Sequence, residues 1–136
     1  MKKILIDKDV ITDLLDKVDP GYKPVAKILS DSKKLKLKVF LCDFTLKELY
    51  EYVLDKKGAH EAIDTFWFLM QLVRVISPIE KNFRRALASS NPDFTRALAY
   101  QVAEDNHLDF IISNDIKAYR SPKLTVISAE QLLSSL

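Results

Sequence analysis

The sequence has 136 residues, of which 48% are apolar, and 21 Lys and Arg against 19 Asp and Glu give a formal net charge of +2. These values exclude an intrinsically disordered chain, which combines low hydrophobicity with high net charge, and they predict a single domain over residues 1–136. Cys42 is the only cysteine, so an intrachain disulfide is excluded. The apolar run Ile4–Ile6 is too short for a signal peptide or a membrane span, so we expect a cytoplasmic protein with no membrane partner.

Glycine is scarce, and this excludes further classes of protein. Gly21 and Gly58 are the two glycines, and neither lies in a loop with several others. Phosphate-binding loops of the Walker and Rossmann types need several glycines together, so these nucleotide-binding sites are excluded. Two histidines and Cys42 cannot form a structural zinc site without carboxylate ligands.

Apolar patterning predicts short strands that alternate with helices. Strands are predicted at residues 3–6, 36–41, 74–76, 110–112 and 124–127. Helices are predicted after the first strand, near Pro24, after the second strand, from about Ala59, from Pro78, from Asn91-Pro92 to about Asn106, and from Ala129. Strands separated by helices indicate βαβ units, and we therefore predict an α/β fold, a three-layer α/β/α sandwich with a mainly parallel five-stranded sheet.

Acidic residues follow two of the predicted strands. Asp7 comes directly after Ile4–Ile6, and Asp115 comes shortly after Phe110–Ile112. Because sites in parallel sheets form outside the carboxyl ends of the strands, both carboxylates are expected at one edge. The alternative for Asp7 is a helix N-cap, and the same alternative holds more strongly for Asp9.

Two further acids are expected near the same edge. Glu48 lies on the helix after the second strand, where Thr45 and Glu48 also match a capping box. Asp93 follows Asn91-Pro92, and its alternative role is to stabilise a helix N-terminus. Acids from four segments repel one another unless a cation lies between them, and oxygen ligands suit Mg²⁺ or Mn²⁺. Such an ion activates water and stabilises charge on a phosphodiester.

Four segments, in this order, resemble the PIN domain family, the metal-dependent nuclease fold of VapC-type toxins. The segments are Ile4–Ile11, Leu46–Leu49, Asn91–Leu98 and Ile112–Tyr119, and the tail from Arg120 to Leu133 also looks like that of the toxin-like branch.

The resemblance implies a metal-dependent endoribonuclease, the toxin component of a toxin–antitoxin pair. It implies that Asp7, Glu48 and Asp115 hold Mg²⁺ or Mn²⁺ and that Asp93 completes the catalytic set. It further implies that Asp9, Ser113 and Asn114 support these acids from beside them. It also implies an RNA substrate, a small antitoxin and a homodimer.

The sequence departs from the family pattern in two motifs. Arg96 stands where the principal aspartate of the third motif is expected, Thr95 replaces the acid before it, and Ala118 replaces a further Asp of the fourth motif. A cation at position 96 either replaces the charge of a metal or removes a second metal position, or Asp93 takes the role from the preceding turn. The alternative function is a catalytically degenerate PIN domain that binds RNA or a protein without cutting.

Basic residues are candidates for contact with nucleic acid, and the alternative is an ordinary solvated surface. The candidates are Lys33, Lys34, Lys36, Lys38, Arg84, Arg85 and Arg96. If the four acids cluster around a metal, the remaining chain has 21 basic and 15 acidic residues, so the net charge of +2 no longer argues against RNA.

Five aromatic residues are expected in the core or a dimer interface: Tyr50, Tyr52, Phe66, Trp67 and Phe68.

The first motif has one enzymatic rival. Asp7-Lys8-Asp9 after an apolar strand also resembles the haloacid dehalogenase phosphatases, in which the first Asp is the nucleophile. That family has a Gly-Asp pair near its third metal-binding Asp, whereas Asn114 precedes Asp115 here. The sequence therefore favours the PIN resemblance.

Overall fold

The computed structural model describes residues 1–120 and 122–136. Its strands are β1 (Lys2–Ile6), β2 (Leu37–Cys42), β3 (Arg74–Ile76), β4 (Phe110–Ile112) and β5 (Thr125–Ile127). Its α-helices are α1 (Lys8–Asp16), α2 (Tyr22–Ser30), α3 (Asp43–Lys57), α4 (Ala59–Leu72), α5 (Glu80–Ala88), α6 (Phe94–Asp105) and α7 (Ala129–Ser135). A 3₁₀ helix covers Ile116–Tyr119.

The five strands form one sheet in the order β3-β2-β1-β4-β5, and all neighbouring pairs are parallel. Parallel neighbours need crossover connections, which the helices provide. The order places β1 at the centre, between β2 and β4. The predicted parallel five-stranded sheet is confirmed.

Side chains of the central strands alternate between two apolar layers. Ile4 and Ile6 of β1 pack with residues of α1, α2, α3 and α4 on one face, and Leu5 packs with residues of α6 on the other. The period of two residues along a strand sends neighbours to opposite faces. Helices cover both faces, so the predicted three-layer sandwich is also confirmed.

Several predicted boundaries differ from the observed ones by one or two residues. Lys36 has a φ of 57° in a turn, so β2 begins at Leu37. Helix α5 begins at Glu80 rather than at Pro78, because Ile79 is extended and its N–H donates to Oδ1 of Asn82 at 2.8 Å. Asp93 is the N-cap of α6, which begins at Phe94.

The aromatic residues divide between the core and the surface. Phe66 is buried, and its ring meets that of Tyr50 edge to face at 5.4 Å between centroids. Trp67 and Phe68 are 69% and 64% exposed, so of the two predicted locations, the core or a dimer interface, the core is excluded for these two. None of the helices in residues 1–120 and 122–136 is both long enough and apolar enough to cross a membrane.

Candidate functional site

The carboxyl ends of β1 and β4 bring Asp7 and Ser113 together. The N–H of Asp7 donates to the carbonyl of Ile112 at 2.8 Å, which extends the pairing of the two strands by one residue. Asp7 is the N-cap of α1, with Oδ1 accepting from the N–H of Lys8 at 3.0 Å, so the capping role is confirmed for Asp7. Asp9 lies inside the first turn of α1, and its interpretation as the cap is wrong.

Arg96 lies at the centre of the acidic cluster. Its Nε donates to Oδ2 of Asp7 at 2.8 Å, its Nη2 to Oδ2 of Asp9 at 3.0 Å, and its Nη1 to Oδ2 of Asp93 at 2.9 Å. Nη1 is also 4.0 Å from Oδ2 of Asp115. A planar guanidinium has donors on three sides, so it can bind several carboxylates at once. We call Asp7, Asp9, Asp93 and Asp115 the aspartate cluster.

The first turn of α6 determines where Arg96 points. Oδ1 of Asp93 caps the helix by accepting from the N–H of Arg96 at 3.2 Å, while Oδ2 of the same carboxylate binds the Arg96 guanidinium. The Arg96 side chain is 20% exposed. Burial disfavours its charged form, but the hydrogen bonds and charges of the aspartates outweigh this and raise the pKa of Arg96 far above its usual value.

Glu48 does not join the aspartate cluster through Arg96. Helix α3 begins at Asp43, so Thr45 and Glu48 both lie inside the helix and the predicted capping box is wrong. Oε2 of Glu48 accepts from Nζ of Lys8 at 2.9 Å. Lys8 thus pairs with Glu48, the one predicted catalytic acid that lies outside the aspartate cluster.

Of the three predicted supporting residues, Ser113 and Asn114 contact the aspartate cluster and Asp9 belongs to it. Ser113 is fully buried, and its Oγ donates to Oδ2 of Asp7 at 2.9 Å and accepts from the N–H of Asp115 at 3.0 Å. The N–H of Asn114 donates to Oδ2 of Asp9 at 3.2 Å. Burial and the charge of Asp7 raise the pKa of the Asp9 carboxyl.

The sequence interpretation missed Tyr119, Lys8 and Asp13 as site residues. Tyr119 is 6% exposed, and its hydroxyl has no hydrogen-bond partner in the described part of the chain. Burial and the nearby charge of Asp7 raise the pKa of this phenol well above its usual value. Asp13 accepts from Nδ2 of Asn114 at 2.6 Å. The i, i+4 spacing of Asp9 and Asp13 on α1 was the one signal that could have placed Asp13 here.

The cluster borders an open cleft of about 440 Å³. Its lining contains five carboxylates and two cations, from Asp7, Lys8, Asp9, Asp13, Glu48, Asp93 and Arg96, together with Thr12 and Thr95. The cleft therefore has an excess of negative charge even after the internal ion pairs are counted.

Most of the basic candidates lie away from the cleft. Lys33, Lys34 and Lys36 occupy the turn before β2 and Lys38 is its second residue, at the sheet edge opposite the site. Arg84 pairs with Glu80 at 2.9 Å and Arg85 pairs with Asp105 at 3.1 Å. Of the seven predicted nucleic-acid contacts, Arg96 is the one that the fold brings to the aspartate cluster.

The oxygen donors suit a divalent cation in chemistry, but their arrangement does not fit one. Oδ2 of Asp7 already accepts from Nε of Arg96 and Oγ of Ser113. Within residues 1–120 and 122–136, no group of three or more His, Cys, Asp or Glu side chains is arranged to hold a metal ion. The guanidinium of Arg96 is the cation that these carboxylates bind.

Comparisons with known proteins support the fold. A family model described as "PIN domain" matches residues 3–117. The structure is similar to Mycobacterium tuberculosis VapC20, described as a sarcin-ricin loop cleaving toxin, with a TM-score of 0.65 and 15% identity over 86% of this chain and 95% of that one. It is also similar to DNA-bound VapBC from Salmonella typhimurium, with a TM-score of 0.65 and 12% identity over 94% of this chain and 98% of that one.

A third similar structure is VapBC2 from Rickettsia felis, bound to a DNA fragment from its promoter. The TM-score is 0.64 and the identity 12%, over 93% of this chain and 97% of that one. At these identities the likeness shows the fold alone. No curated protein matches the sequence.

Proposed function

Because this chain belongs to the PIN domain family, we propose that it is a VapC-type PIN module that binds a protein partner and does not hydrolyse RNA by a metal-dependent route. The observation that carries the proposal is the position of Arg96, whose guanidinium contacts the carboxylates of Asp7, Asp9 and Asp93 within 3.0 Å.

Metal-dependent hydrolysis requires an ion that lowers the pKa of a bound water and stabilises charge on the phosphate. A guanidinium supplies positive charge but offers no open coordination position for water, and it remains protonated in proteins. Arg96 therefore neutralises part of the aspartate cluster without providing the chemistry of a bound metal. The loss of acids at Thr95 and Ala118 supports the same conclusion.

The charge distribution favours a protein over RNA as the partner. The cleft contains five carboxylates and two cations, so it repels a phosphate backbone when no divalent ion is bound. Lys33, Lys34 and Lys36 lie at the opposite edge of the sheet, so they do not add positive charge to the cleft.

An apolar stripe on α4 offers a surface for a protein partner. Ile63, Trp67 and Met70 are spaced i, i+4 and i+7 and are 47%, 69% and 47% exposed. With Tyr50 and Phe66 they line a shallow depression of about 300 Å³. We call Ile63, Trp67 and Met70 the α4 stripe. Exposed Trp beside apolar neighbours is typical of interface hot spots, and an antitoxin-type protein is the partner that the family suggests.

The catalytic half of the proposal is tested by an RNA cleavage assay. Purified chain is incubated with structured RNA in Mg²⁺, in Mn²⁺ and in EDTA, beside the Asp7→Asn variant. We expect the same background in all conditions and for both proteins. Cleavage that depends on metal and disappears in Asp7→Asn would contradict the proposal.

The binding half is tested by co-expression with the product of the neighbouring upstream reading frame, and the absence of a small antitoxin-like frame there would count against an antitoxin partner. We expect the two chains to co-elute in size-exclusion chromatography and Trp67→Glu to abolish the complex. Phe68→Glu is the matched control, because Phe68 is 64% exposed on the same helix but lies off the α4 stripe. A complex that survives Trp67→Glu would contradict the assignment of the surface. A homodimer that Trp67→Glu dissociates would assign the stripe to a second copy of this chain instead.

A second candidate function is the metal-dependent endoribonuclease that the PIN resemblance implies, with Mg²⁺ or Mn²⁺ as cofactor. The excess of carboxylates over cations in the cleft favours it, because such a field attracts divalent ions. Asp7, Glu48, Asp93 and Asp115 are then the catalytic set, and the same cleavage assay decides between the two functions.

A further inference from the structure

The edge of the sheet opposite the cleft contains a basic cavity. It has a volume of about 520 Å³ and lies at the amino ends of β2 and β3, next to the turn that precedes β2. Its charged lining residues are Lys33, Lys38 and Arg74, which we call the basic pocket, and Ser32 and Gln71 add polar groups. Within residues 1–120 and 122–136, no Asp or Glu lines this cavity. Its charge is therefore opposite to that of the cleft.

The cations of the basic pocket are free of internal ion pairs. Lys33 and Arg74 are exposed and Lys38 is partly buried. None of the three pairs with a carboxylate in the described part of the chain, in contrast to Arg85 and Arg96. A concave surface lined by charges of one sign concentrates ions of the opposite sign. The basic pocket therefore attracts anions.

The turn before β2 holds further lysines in fixed positions. Residues 30–38 contain four lysines and one acid, Asp31. The N–H of Leu35 donates to the carbonyl of Asp31 at 2.8 Å, and the carbonyl of Lys36 accepts from the N–H of Lys2 at 3.0 Å. These hydrogen bonds order the backbone of the turn before any ligand binds, so binding needs to order the side chains alone.

Strand register extends the basic surface onto β1. Lys3 of β1 lies beside Lys38 of β2, and Arg74 of β3 lies beside Phe40, two residues further along β2. Because alternate residues of a strand share a face, Lys3, Lys38 and Arg74 lie on one face of the sheet. With about 4.8 Å between strands and about 3.3 Å per residue, their Cα atoms span roughly 12 Å.

We propose that the basic pocket, together with Lys3, Lys34 and Lys36, binds the phosphate backbone of a nucleic acid independently of base sequence. Phosphates follow one another every 3.4 Å or so along a strand of duplex, so a surface of roughly 12 Å faces about three of them. No aromatic side chain of the described residues lines the cavity, so bases have no surface there on which to stack. This site lies outside the cleft and the α4 stripe, so it goes beyond the proposed function.

Fluorescence anisotropy with labelled single strands of about 12 nucleotides, both DNA and RNA, measures the binding. EDTA is present, so that no divalent ion links a strand to the carboxylates of the cleft. The test variant combines Lys33→Glu with Arg74→Glu, which are both exposed. The matched control combines Lys47→Glu with Arg84→Glu, which makes the same charge change at two exposed residues outside the basic pocket.

We expect the affinity of the wild type to fall roughly twentyfold between about 50 and 200 mM salt, because three phosphate contacts on a single strand give a logarithmic slope of about −2. The test variant should bind at least about tenfold more weakly than the wild type at the lower salt concentration, and the control should stay within about twofold of the wild type. DNA, RNA and strands of different sequence should bind alike, because phosphate contacts carry no sequence information.

Three results would overturn the inference. The first is a wild type that binds no strand at the lower salt concentration. The second is a control variant that weakens binding as much as the test variant, because net charge and not the basic pocket would then decide. The third is a polyglutamate peptide of equal charge that binds as tightly as the strands, which would assign the surface to an acidic protein. None of these measurements involves RNA cleavage or the α4 stripe, so the proposed function stands or fails separately.

Lysine acetylation of the wild type covers the case in which the test variant does not fold. The rate at each lysine is measured by mass spectrometry with and without the DNA strand. We expect the strand to slow acetylation of Lys33, Lys34 and Lys36 and to leave the exposed Lys47 unchanged. Equal protection of Lys47, or unchanged rates at the three lysines of the turn, would contradict the assignment.

Discussion

Replacement of Arg96 by Met should destabilise the protein because it leaves several partly buried carboxylates without their cation. Met keeps much of the apolar stem of Arg, so the change removes charge and hydrogen bonds more than packing volume. Three hydrogen bonds between 2.8 and 3.0 Å are lost, to Asp7, Asp9 and Asp93. The perturbation therefore isolates the electrostatic role of the guanidinium.

The magnitude follows from how deeply each carboxylate is buried. Hydrogen bonds to charged groups contribute roughly 1.5–3 kcal/mol each. The side chains of Asp9 and Asp93 are 28% and 36% exposed and can recover solvation from water, whereas Asp7 is 10% exposed and cannot. Counting the bond to Asp7 in full and discounting the other two gives a loss of about 2–4 kcal/mol in the free energy of unfolding.

Urea unfolding at neutral pH measures this loss, with Arg84→Met as the control. The ion pair of Arg84 with Glu80 is exposed, so the control should lose less than about 1 kcal/mol. Asp7→Asn removes the most buried charge, so the double variant with Arg96→Met should be more stable than the sum of the two single effects indicates. A loss below about 1 kcal/mol for Arg96→Met, or strictly additive effects, would refute the reasoning.

Three further predictions concern neighbouring residues. Ser113→Ala should lower the free energy of unfolding by about 1–3 kcal/mol, because the N–H of Asp115 then lacks its acceptor; an unchanged urea midpoint would contradict it. Burial raises the pKa of Cys42 from 9.0 to about 12, so iodoacetamide at pH 8 should alkylate the folded protein about a thousandfold more slowly than the urea-unfolded chain. The pKa of Asp9 is raised above 3.8 in the folded state, so its contribution to stability is present below that pH and is lost as the pH rises. Asp9→Asn should not lose this contribution, and its stability relative to wild type should increase as the pH rises above 3.8 in urea titrations.

The fold could be predicted because its signals are local and repeat along the chain. Apolar strands such as Ile4–Ile6 and Phe110–Ile112 stop at polar residues, and the amphipathic helix α1 follows the first of them. This alternation is sufficient to indicate a parallel sheet covered on both faces. The order of the strands does not follow from the same signals, because it depends on which strands pair across long separations.

The meeting of Asp7, Asp93 and Asp115 could be predicted in outline, because each acid lies near a strand end or a helix start on one edge of the sheet. The role of Glu48 could not. The motif Thr45–Glu48 matches a capping box, but α3 begins two residues earlier, at Asp43, and Glu48 instead pairs with Lys8. This contact joins residues 40 positions apart and leaves no local signal in the sequence.

The position of Arg96 changes how the charges of the chain are distributed around the cleft. From the sequence, four acids neutralised by a metal leave a basic remainder that could bind RNA. In the folded chain the cluster is neutralised in part by Arg96, Glu48 pairs with Lys8, and Arg85 pairs with Asp105. These three cations therefore already have carboxylate partners within the chain, and Arg96 is the most buried of them. The net charge of +2 therefore gives no surplus of basic residues at the cleft, whose lining has more carboxylates than cations.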